Sequence, residues 1–268
     1  NLSVIASDKK LTLSWTPPAN TSVTIHDYIV QLSNDGGYWF YSYPYVVSAS
    51  ATSVELTGYI DGTGHTPAFT NGTSYYVRIY AEGNYPDYKP SVMANASGLF
   101  TPASTPGGLA TGSASPDDGK VNFSWTAPTD NGGSAIKNYV GDYSIDNSTW
   151  TRAFSVDSAT VTSSISSLTN GTPYYFRLAA VNAIGIGGYT NFGPITPYGT
   201  PSLSIAVSEV NSTTSTVTIS GASKGRTVVP SITYGINGDG NSTTITYDSI
   251  KSDSITRSES LTGLTPGV

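Results

Sequence analysis

Two nearly identical stretches show the alternation of apolar and polar positions that runs through this chain. Residues 168–178 read Leu-Thr-Asn-Gly-Thr-Pro-Tyr-Tyr-Phe-Arg-Leu, and residues 69–79 read Phe-Thr-Asn-Gly-Thr-Ser-Tyr-Tyr-Val-Arg-Ile. In each stretch Asn-Gly favours a tight turn, and the aromatic and β-branched residues that follow favour a strand. Alternation places Phe176 on one face of that strand and Arg177 on the other. The pattern predicts a repeat protein whose strands bury one face and expose the other.

Other alternating runs recur in the same order in both copies. One run ends at Trp15 and its counterpart ends at Trp125, and prolines follow both. The next run begins at Tyr28 in the first copy and at Tyr139 in the second. Because alternate apolar positions suit a half-buried strand, each copy predicts a set of antiparallel strands around an aromatic core.

The first copy contains an insertion. Tyr75 and Tyr174 are closer together than Trp15 and Trp125 by about a dozen residues. The extra residues fall mostly at 59–68, in a Gly-rich loop just before the corner. We expect a surface loop there, since insertions of this kind cost little stability.

A third copy begins after the second. Residues 217–221 form another alternating run, with Gly221 at the position of the tryptophan, and residues 232–234 follow at the matching distance. Residues 264–268 align with residues 168–172, which lie just before the corner tyrosine. We therefore expect the third sandwich to lack its last two strands within this sequence, and a longer chain or a partner to supply them.

Paired prolines in residues 101–106 and again in residues 196–201 indicate short, stiff connections. We predict three domains joined with limited flexing: residues 1–102 with the inserted loop at about 59–68, residues 103–197, and the truncated residues 198–268.

Composition narrows the function classes. Charged residues make up 11% of the chain, and 28 Gly and 16 Pro favour many short strands over helices. A net charge of -6 without a cluster of Lys and Arg argues against nucleic-acid binding. The absence of cysteine excludes disulfides, thiolate metal sites and a cysteine nucleophile. No apolar run is long enough for a membrane helix, and the Ser, Thr, Asn and Gly content is typical of an extracellular, cell-surface or virion protein.

Candidate chemistry is sparse. His26 and His65 are the only histidines, and neither lies in a nucleophile-elbow motif. The acidic residues are scattered among turns, which leaves a glycosidase pair open but points to none. Residues 237–241 resemble the start of a calcium loop but lack the glycine and glutamate that complete one, so a hairpin turn is the favoured interpretation. We predict no catalytic residue, no metal site and no cofactor.

Clustered aromatic residues are the strongest candidate for a contact surface. Residues 38–45 hold six aromatic side chains in eight positions, and residues 84–90 form a second aromatic loop. Because alternation turns part of such a cluster outward, it suits protein contacts or sugar stacking, while cross-strand pairing and core filling are the structural alternative. The candidate contact residues are Tyr38, Trp39, Tyr41, Tyr43, Tyr45, Tyr85 and Tyr88.

The order of these landmarks resembles the fibronectin type III domain. Each of the first two copies has a tryptophan that ends the second strand, a tyrosine in the third strand and a Leu-x-x-Gly-Thr-x-Tyr corner, in which Phe69 replaces Leu in the first copy. The resemblance implies a seven-stranded antiparallel sandwich in which the corner tyrosine hydroxyl bonds to nearby backbone. It places six residues in the structural core: Trp15, Tyr28, Tyr75, Trp125, Tyr139 and Tyr174.

Two glycines depart from the family pattern. Gly141 stands where a core Val is expected, which indicates a bulge or a neighbour that fills the space. Gly221 makes "immunoglobulin-like" the safer description of the third copy. The expected fold is all-β, with tandem immunoglobulin-like (fibronectin type III) antiparallel β-sandwiches, the third one incomplete.

The repeats and the proline connections favour a non-enzymatic role. We expect a structural, spacer or adhesive segment of a larger extracellular or virion surface protein of bacterial or viral origin. Its partners would be other protein subunits or further domains of the same chain, with surface glycans at residues 38–45 as a further candidate. The alternative is a set of accessory modules in a secreted polysaccharide-degrading enzyme. A neighbouring catalytic domain in the full-length gene would favour that alternative.

Overall fold

The computed structural model describes residues 1–19, 24–37, 39, 44–59, 66–83, 90–208, 214–226, 231–234, 243–246 and 255–262. All helical or strand structure named in these ranges is β-strand. The prediction of an all-β chain with antiparallel sheets is confirmed. No helix in the described ranges is long and apolar enough to span a membrane.

The first seven strands form two antiparallel sheets. They are β1 (Leu2–Ser7), β2 (Lys10–Trp15), β3 (Ile25–Ser33), β4 (Tyr45–Ser48), β5 (Ser53–Leu56), β6 (Tyr76–Gly83) and β7 (Ala94–Asn95). One sheet has the order β1-β2-β5, and the other has the order β4-β3-β6-β7. Each sheet thus combines strands that are distant in sequence, which is the arrangement of a two-layer sandwich.

The core of this sandwich is built from alternate side chains of both sheets. Trp15 of β2 packs on Tyr28 of β3, with ring centroids 5.1 Å apart. Phe69 and Tyr75 of the corner meet at 4.8 Å. Since each buried large apolar side chain contributes about 1.5–3 kcal/mol, this packing holds the two sheets together. The other buried members of the cluster are Leu11, Leu13, Val30, Leu32, Leu56, Val77, Ile79 and Ala81.

The ends of the predicted insertion are anchored in the first sandwich. The Tyr59 amide donates to the Pro67 carbonyl at 3.1 Å, and Gly58 and Ala68 form a β-bridge. The Tyr59 ring packs 6.2 Å from Tyr75. The described ends of the insertion therefore add to the core, while residues 60–65, with His65, lie outside the described ranges.

The second set of seven strands repeats the same order. They are β8 (Thr111–Asp117), β9 (Lys120–Thr126), β10 (Asn138–Ser144), β11 (Thr151–Asp157), β12 (Thr162–Ile165), β13 (Tyr174–Val181) and β14 (Thr190–Ile195). The sheets have the orders β12-β9-β8 and β11-β10-β13-β14. The sequence repeat is therefore also a repeat of strand pairing.

A neighbouring ring fills the space above Gly141. A Cβ at this position would lie 2.3 Å from the Phe154 ring, which stacks on Trp125 with centroids 6.0 Å apart. The expectation that a neighbour fills this space is met by Phe154. Phe123 and Phe176 complete the packing at 5.2 Å.

The corner tyrosines bond to the backbone as the family resemblance implies. The Thr169 amide donates to the Tyr174 hydroxyl at 3.1 Å. Burial raises the pKa of Tyr75, while a hydrogen bond with the Thr70 backbone acts in the opposite direction. All six predicted core aromatics, named above, are less than a tenth exposed.

The third set of described strands is shorter. It comprises β15 (Ser202–Ser208), β16 (Thr214–Ala222), β17 (Ser231–Tyr234), β18 (Thr243–Thr246) and β19 (Ile255–Thr262). The sheets have the orders β15-β16-β19 and β17-β18. Val217 and Ile219 are buried, and Gly221 has no room for a side chain because a Cβ would lie 2.1 Å from the Ser202 carbonyl oxygen.

The chain divides into two compact units. One comprises residues 1–110, 127–139 and 179–189, and the other comprises residues 111–126, 140–178 and 190–268. The first therefore includes two loops of the second repeat. The three-domain division at residues 102 and 197 stays a prediction.

Replacing Trp125 by Ala should lower the free energy of unfolding by about 3–5 kcal/mol, because burial is lost and a cavity remains. This is a large part of the about 5–15 kcal/mol that stabilises a typical domain. Denaturant unfolding measures the loss. The control is Ile145→Ala, whose side chain is 66% exposed and whose removal should cost at most about 0.5 kcal/mol. Equal losses for both variants would contradict the assigned register.

Candidate contact surface

Two of the seven predicted contact residues lie in the described part of the chain. These are Trp39 and Tyr45. Tyr38, Tyr41, Tyr43, Tyr85 and Tyr88 lie outside the described residues, as do residues 237–241. His26 is exposed, and its Nδ1 lies 2.5 Å from the Asp27 carboxylate. The assignment of the aromatic cluster to a contact surface stays a prediction.

Trp39 stacks against an arginine on the face of the β4-β3-β6-β7 sheet that points away from the core. The Arg78 guanidinium lies 3.9 Å from the centre of the Trp39 ring, and its Nε donates to Gln31 Oε1 at 2.8 Å. Gln31 and Arg78 are directly paired in register, between positions whose side chains enter the core. The stack therefore covers one face of the indole ring and buries a charged side chain against it.

The second repeat carries the same stack with a different partner. The Arg177 guanidinium lies 4.3 Å from the centre of the Trp150 ring, and its Nε donates to Asp142 Oδ2 at 2.9 Å. Arg152 from β11 bonds to the other oxygen of Asp142. The carboxylate is only 4% exposed, so the two guanidinium groups compensate a nearly buried negative charge.

Six residues of this surface were not predicted as site residues. They are Gln31, Arg78, Asp142, Trp150, Arg152 and Arg177. The signal available was the Tyr-Tyr-x-Arg pattern, which places an arginine on the outward face in both copies. The tryptophan partners could not be read from spacing, because the chain between each tryptophan and its arginine crosses to another sheet and returns.

Tyr45 is engaged inside the first sandwich. Its hydroxyl donates to the Gly58 carbonyl at 2.7 Å, and its ring packs against the core. Burial raises the pKa of Tyr45. This side chain therefore fastens β4 to the base of the insertion.

The turn after the third strand of each repeat is built around an aspartate. In the first repeat the Ser33 hydroxyl donates to Asp35 Oδ1 at 2.9 Å. In the second, Asp146 Oδ1 accepts the Ser144 hydroxyl at 2.8 Å and the Ser148 and Thr149 amides at 2.8 and 2.7 Å. These bonds, above all those from the backbone amides, hold the pKa of Asp146 well below its usual range. The turn thereby fixes the backbone next to Trp150.

Comparison with known proteins finds a family match in the central part of the chain. The family model described as "Fibronectin type III domain" matches residues 104–194. Residues 104–194 are thus similar to a fibronectin type III domain. The matched stretch contains β8 to β13 and most of β14, and the Trp150–Arg177 stack lies within it.

Relatives and solved structures extend over more of the chain. Over 191 residues, or 68% of the chain, the sequence is 26% identical to titin of Drosophila melanogaster, and the match spans about 1% of that relative's length. A two-domain fibronectin type III segment of chicken tenascin is 18% identical, with a TM-score of 0.35, and the match covers 72% of this chain and 95% of that one. The FN1–FN3 domains of chicken CNTN1 are 14% identical, with a TM-score of 0.34 and coverage of 99% and 88%.

The sources of these proteins bear on the expected origin. The titin relative comes from Drosophila melanogaster, so the expectation of a bacterial or viral source gains no support. The fold itself is established by the strand pairing within the chain.

Replacing Asp142 by Asn should lower the stability of the second repeat by about 2–4 kcal/mol, because the Arg177 and Arg152 charges lose their shared partner. This is below the full cost of breaking a buried pair, since both arginines are partly exposed. Denaturant unfolding measures it. The control is Glu55→Gln, which removes an exposed ion pair with Lys10 and should cost at most about 1 kcal/mol. A loss no larger than the control's would show that the buried carboxylate is not needed.

The turn at Asp146 should contribute to acid sensitivity. Because the folded-state pKa of Asp146 lies below its unfolded value, the ionised carboxylate stabilises the fold above about pH 4. This contribution is lost progressively as the pH falls below that value. The stability difference between the parent and Asp146→Asn should therefore shrink between pH 5 and pH 2. Denaturant unfolding at each pH measures the difference. A constant difference across this range would contradict the assigned role.

Proposed function

We propose that this chain is a non-enzymatic structural, spacer or adhesive segment of a larger extracellular or cell-surface protein, and that it acts through protein–protein contacts. Its partners are other protein subunits or further domains of the same chain. Fibronectin type III domains typically serve as structural or adhesive modules, which is the general role that the family match supports. The extracellular setting rests on composition: few charged residues and many Ser, Thr, Asn and Gly.

Repetition is the observation that carries the proposal. The same seven-strand order occurs twice, and the outer face of each four-stranded sheet has the same Trp–Arg stack. A catalytic centre needs one constellation of reactive groups, whereas a module that sets distance or presents contacts works by being repeated. In the second repeat, Asp142 on this face is paired with both Arg152 and Arg177.

The Trp–Arg stacks also bear on the kind of contact. A sugar ring stacks on an open aromatic face, but one face of Trp39 is covered by Arg78 and one face of Trp150 by Arg177. Each arginine therefore removes one of the two ring faces on which a sugar could stack. Planar guanidinium groups and aromatic edges are common at protein interfaces, which favours a protein over a glycan.

The test uses the complete protein that carries this segment and the 268-residue chain itself. We expect the remaining sequence to contain further repeats or an anchor, coat or fibre segment. We also expect the chain to give no glycan-array signal and no retention on insoluble cellulose, chitin or starch, and Trp39→Ala to behave in the same way. A neighbouring polysaccharide-degrading domain, or binding that Trp39→Ala abolishes, would overturn the proposal in favour of accessory modules of an enzyme.

A further inference from the structure

The Asn-Gly corner of the first repeat is locked onto the turn between β1 and β2. Asn71 Nδ2 donates to Asp8 Oδ1 at 2.8 Å, and Asn71 Oδ1 accepts the Lys9 amide at 2.9 Å. A side-chain amide that both donates and accepts in this way has its orientation fixed. The turn and the corner, which are far apart in sequence, therefore form one small rigid surface.

The second repeat contains the same lock. Asn170 Nδ2 donates to Asp118 Oδ1 at 2.7 Å, and Asn170 Oδ1 accepts the Gly119 amide at 2.9 Å. The bond partners occupy equivalent positions in the two repeats, since each aspartate lies in the turn that follows the repeat's first strand. This surface is thus a repeated feature of the fold.

A glycine of the following loop lies directly on each locked corner. Gly133 has a φ of +75°, and a Cβ added to it would lie 2.2 Å from the Gly72 nitrogen. Gly225 has a φ of +79°, and a Cβ there would lie 2.5 Å from the Gly171 nitrogen. Real Cβ atoms do not come this close to backbone, so at both places only glycine permits the observed approach.

The connecting chain is hydrogen-bonded to both sides of the first contact. The Gly72 amide donates to the Pro102 carbonyl at 2.8 Å, and the Ser104 amide donates to the Gly132 carbonyl at 2.8 Å. Asn71 Nδ2 also reaches the Ser104 hydroxyl at 3.1 Å. The connection between the repeats is therefore held to the corner that precedes it and to the loop that follows it.

The second contact has the same two backbone bonds. The Gly171 amide donates to the Pro197 carbonyl at 2.9 Å, and the Gly199 amide donates to the Lys224 carbonyl at 2.9 Å. Lys224 Nζ also lies 3.7 Å from the Asp118 carboxylate. Two contacts built from equivalent residues make a chance arrangement a poor explanation.

A buried amide strengthens the first contact further. Asn182 is 3% exposed, and its Nδ2 donates to the Ser104 and Asn131 carbonyls at 2.7 and 2.9 Å. This side chain joins the connection to the loop that carries Gly133. Residues 127–139 and 179–189 accordingly belong to the same compact unit as residues 1–110.

We propose that the locked Asn-Gly corner of each of the first two repeats is a docking surface whose partner is the glycine loop of the repeat that follows. The pair forms a fixed joint, which the steric demand of Gly133 and Gly225 specifies and the connecting chain closes. The joint is a property of the repeats themselves, so it does not depend on the proposed function.

The test is amide hydrogen exchange, measured by NMR on the whole chain, for Gly133→Ala. The added methyl group must push the loop off the corner, so the Gly72 and Ser104 amides should exchange at least about tenfold faster, as expected for a locally opened segment. The Val77 amide, within the core strand β6, should keep its rate. Gly225→Ala should have the same effect on the Gly171 and Gly199 amides.

The matched control is Gly98→Ala. Gly98 also has a positive φ, of +99°, but no atom lies within 4 Å of an added Cβ. It therefore carries the backbone strain without the clash, and it should leave the Gly72 and Ser104 rates unchanged. An unchanged rate at both amides in Gly133→Ala, or an equal acceleration in Gly98→Ala, would overturn the proposal.

If Gly133→Ala also accelerates exchange of the Val77 amide, the substitution has disrupted the core packing. The Asn71→Ala variant then provides the test. This variant removes the side-chain lock without adding an atom. The Ser104 amide should again exchange at least about tenfold faster, with Val77 unchanged, because Asn71 bonds to Ser104 and positions the corner. Equal protection of Ser104 in the parent and in Asn71→Ala would overturn the proposal.

Discussion

Burial of aromatic side chains between two sheets is the interaction on which the rest of the structure depends. The chain has no cysteine, so no disulfide can hold the layers together. In the first repeat Trp15 meets Tyr28 at 5.1 Å, and in the second Phe123 meets Phe176 at 5.2 Å. Because each sheet contains strands that are distant in sequence, this packing places the corner, the turns and the outer face at fixed positions.

Both cores are fully packed, but the residue that fills an equivalent position in the core differs between the two repeats. Phe154 reaches over Gly141 and stacks on Trp125, so the neighbouring strand β11 supplies the bulk that Gly141 lacks. Phe192 of β14 does the same over Gly112 of β8, where a Cβ would lie 2.7 Å from its ring. A small residue opposite a large one keeps the layers in contact at native density. Gly141 and Gly112 thus leave room for an aromatic ring from a neighbouring strand.

The loss of unfolding free energy expected for Trp125→Ala depends on the strand and core positions, which the sequence predicts well. Alternation over residues 11–15, 121–125 and 174–178 places strands and core aromatics correctly because burial of one face demands that period. The Trp39–Arg78 stack is not disclosed, since it depends on which strands become neighbours and on how the chain returns to the sheet edge. Gly133 and Gly225 look like ordinary turn glycines in sequence, and only the approach of another backbone shows what they permit.

The corner motif serves the interior and the surface at once. On its inner side the Tyr174 hydroxyl accepts the Thr169 amide, which ties the corner to a buried ring. On its outer side the Gly171 amide donates to the Pro197 carbonyl and carries the connection onward. The corner resists a change of shape when the next repeat pulls on it, because its backbone hydrogen bonds and the Asn170 side-chain bonds would have to break together. The residues that make the motif recognisable in sequence are therefore the ones that let one repeat support the next.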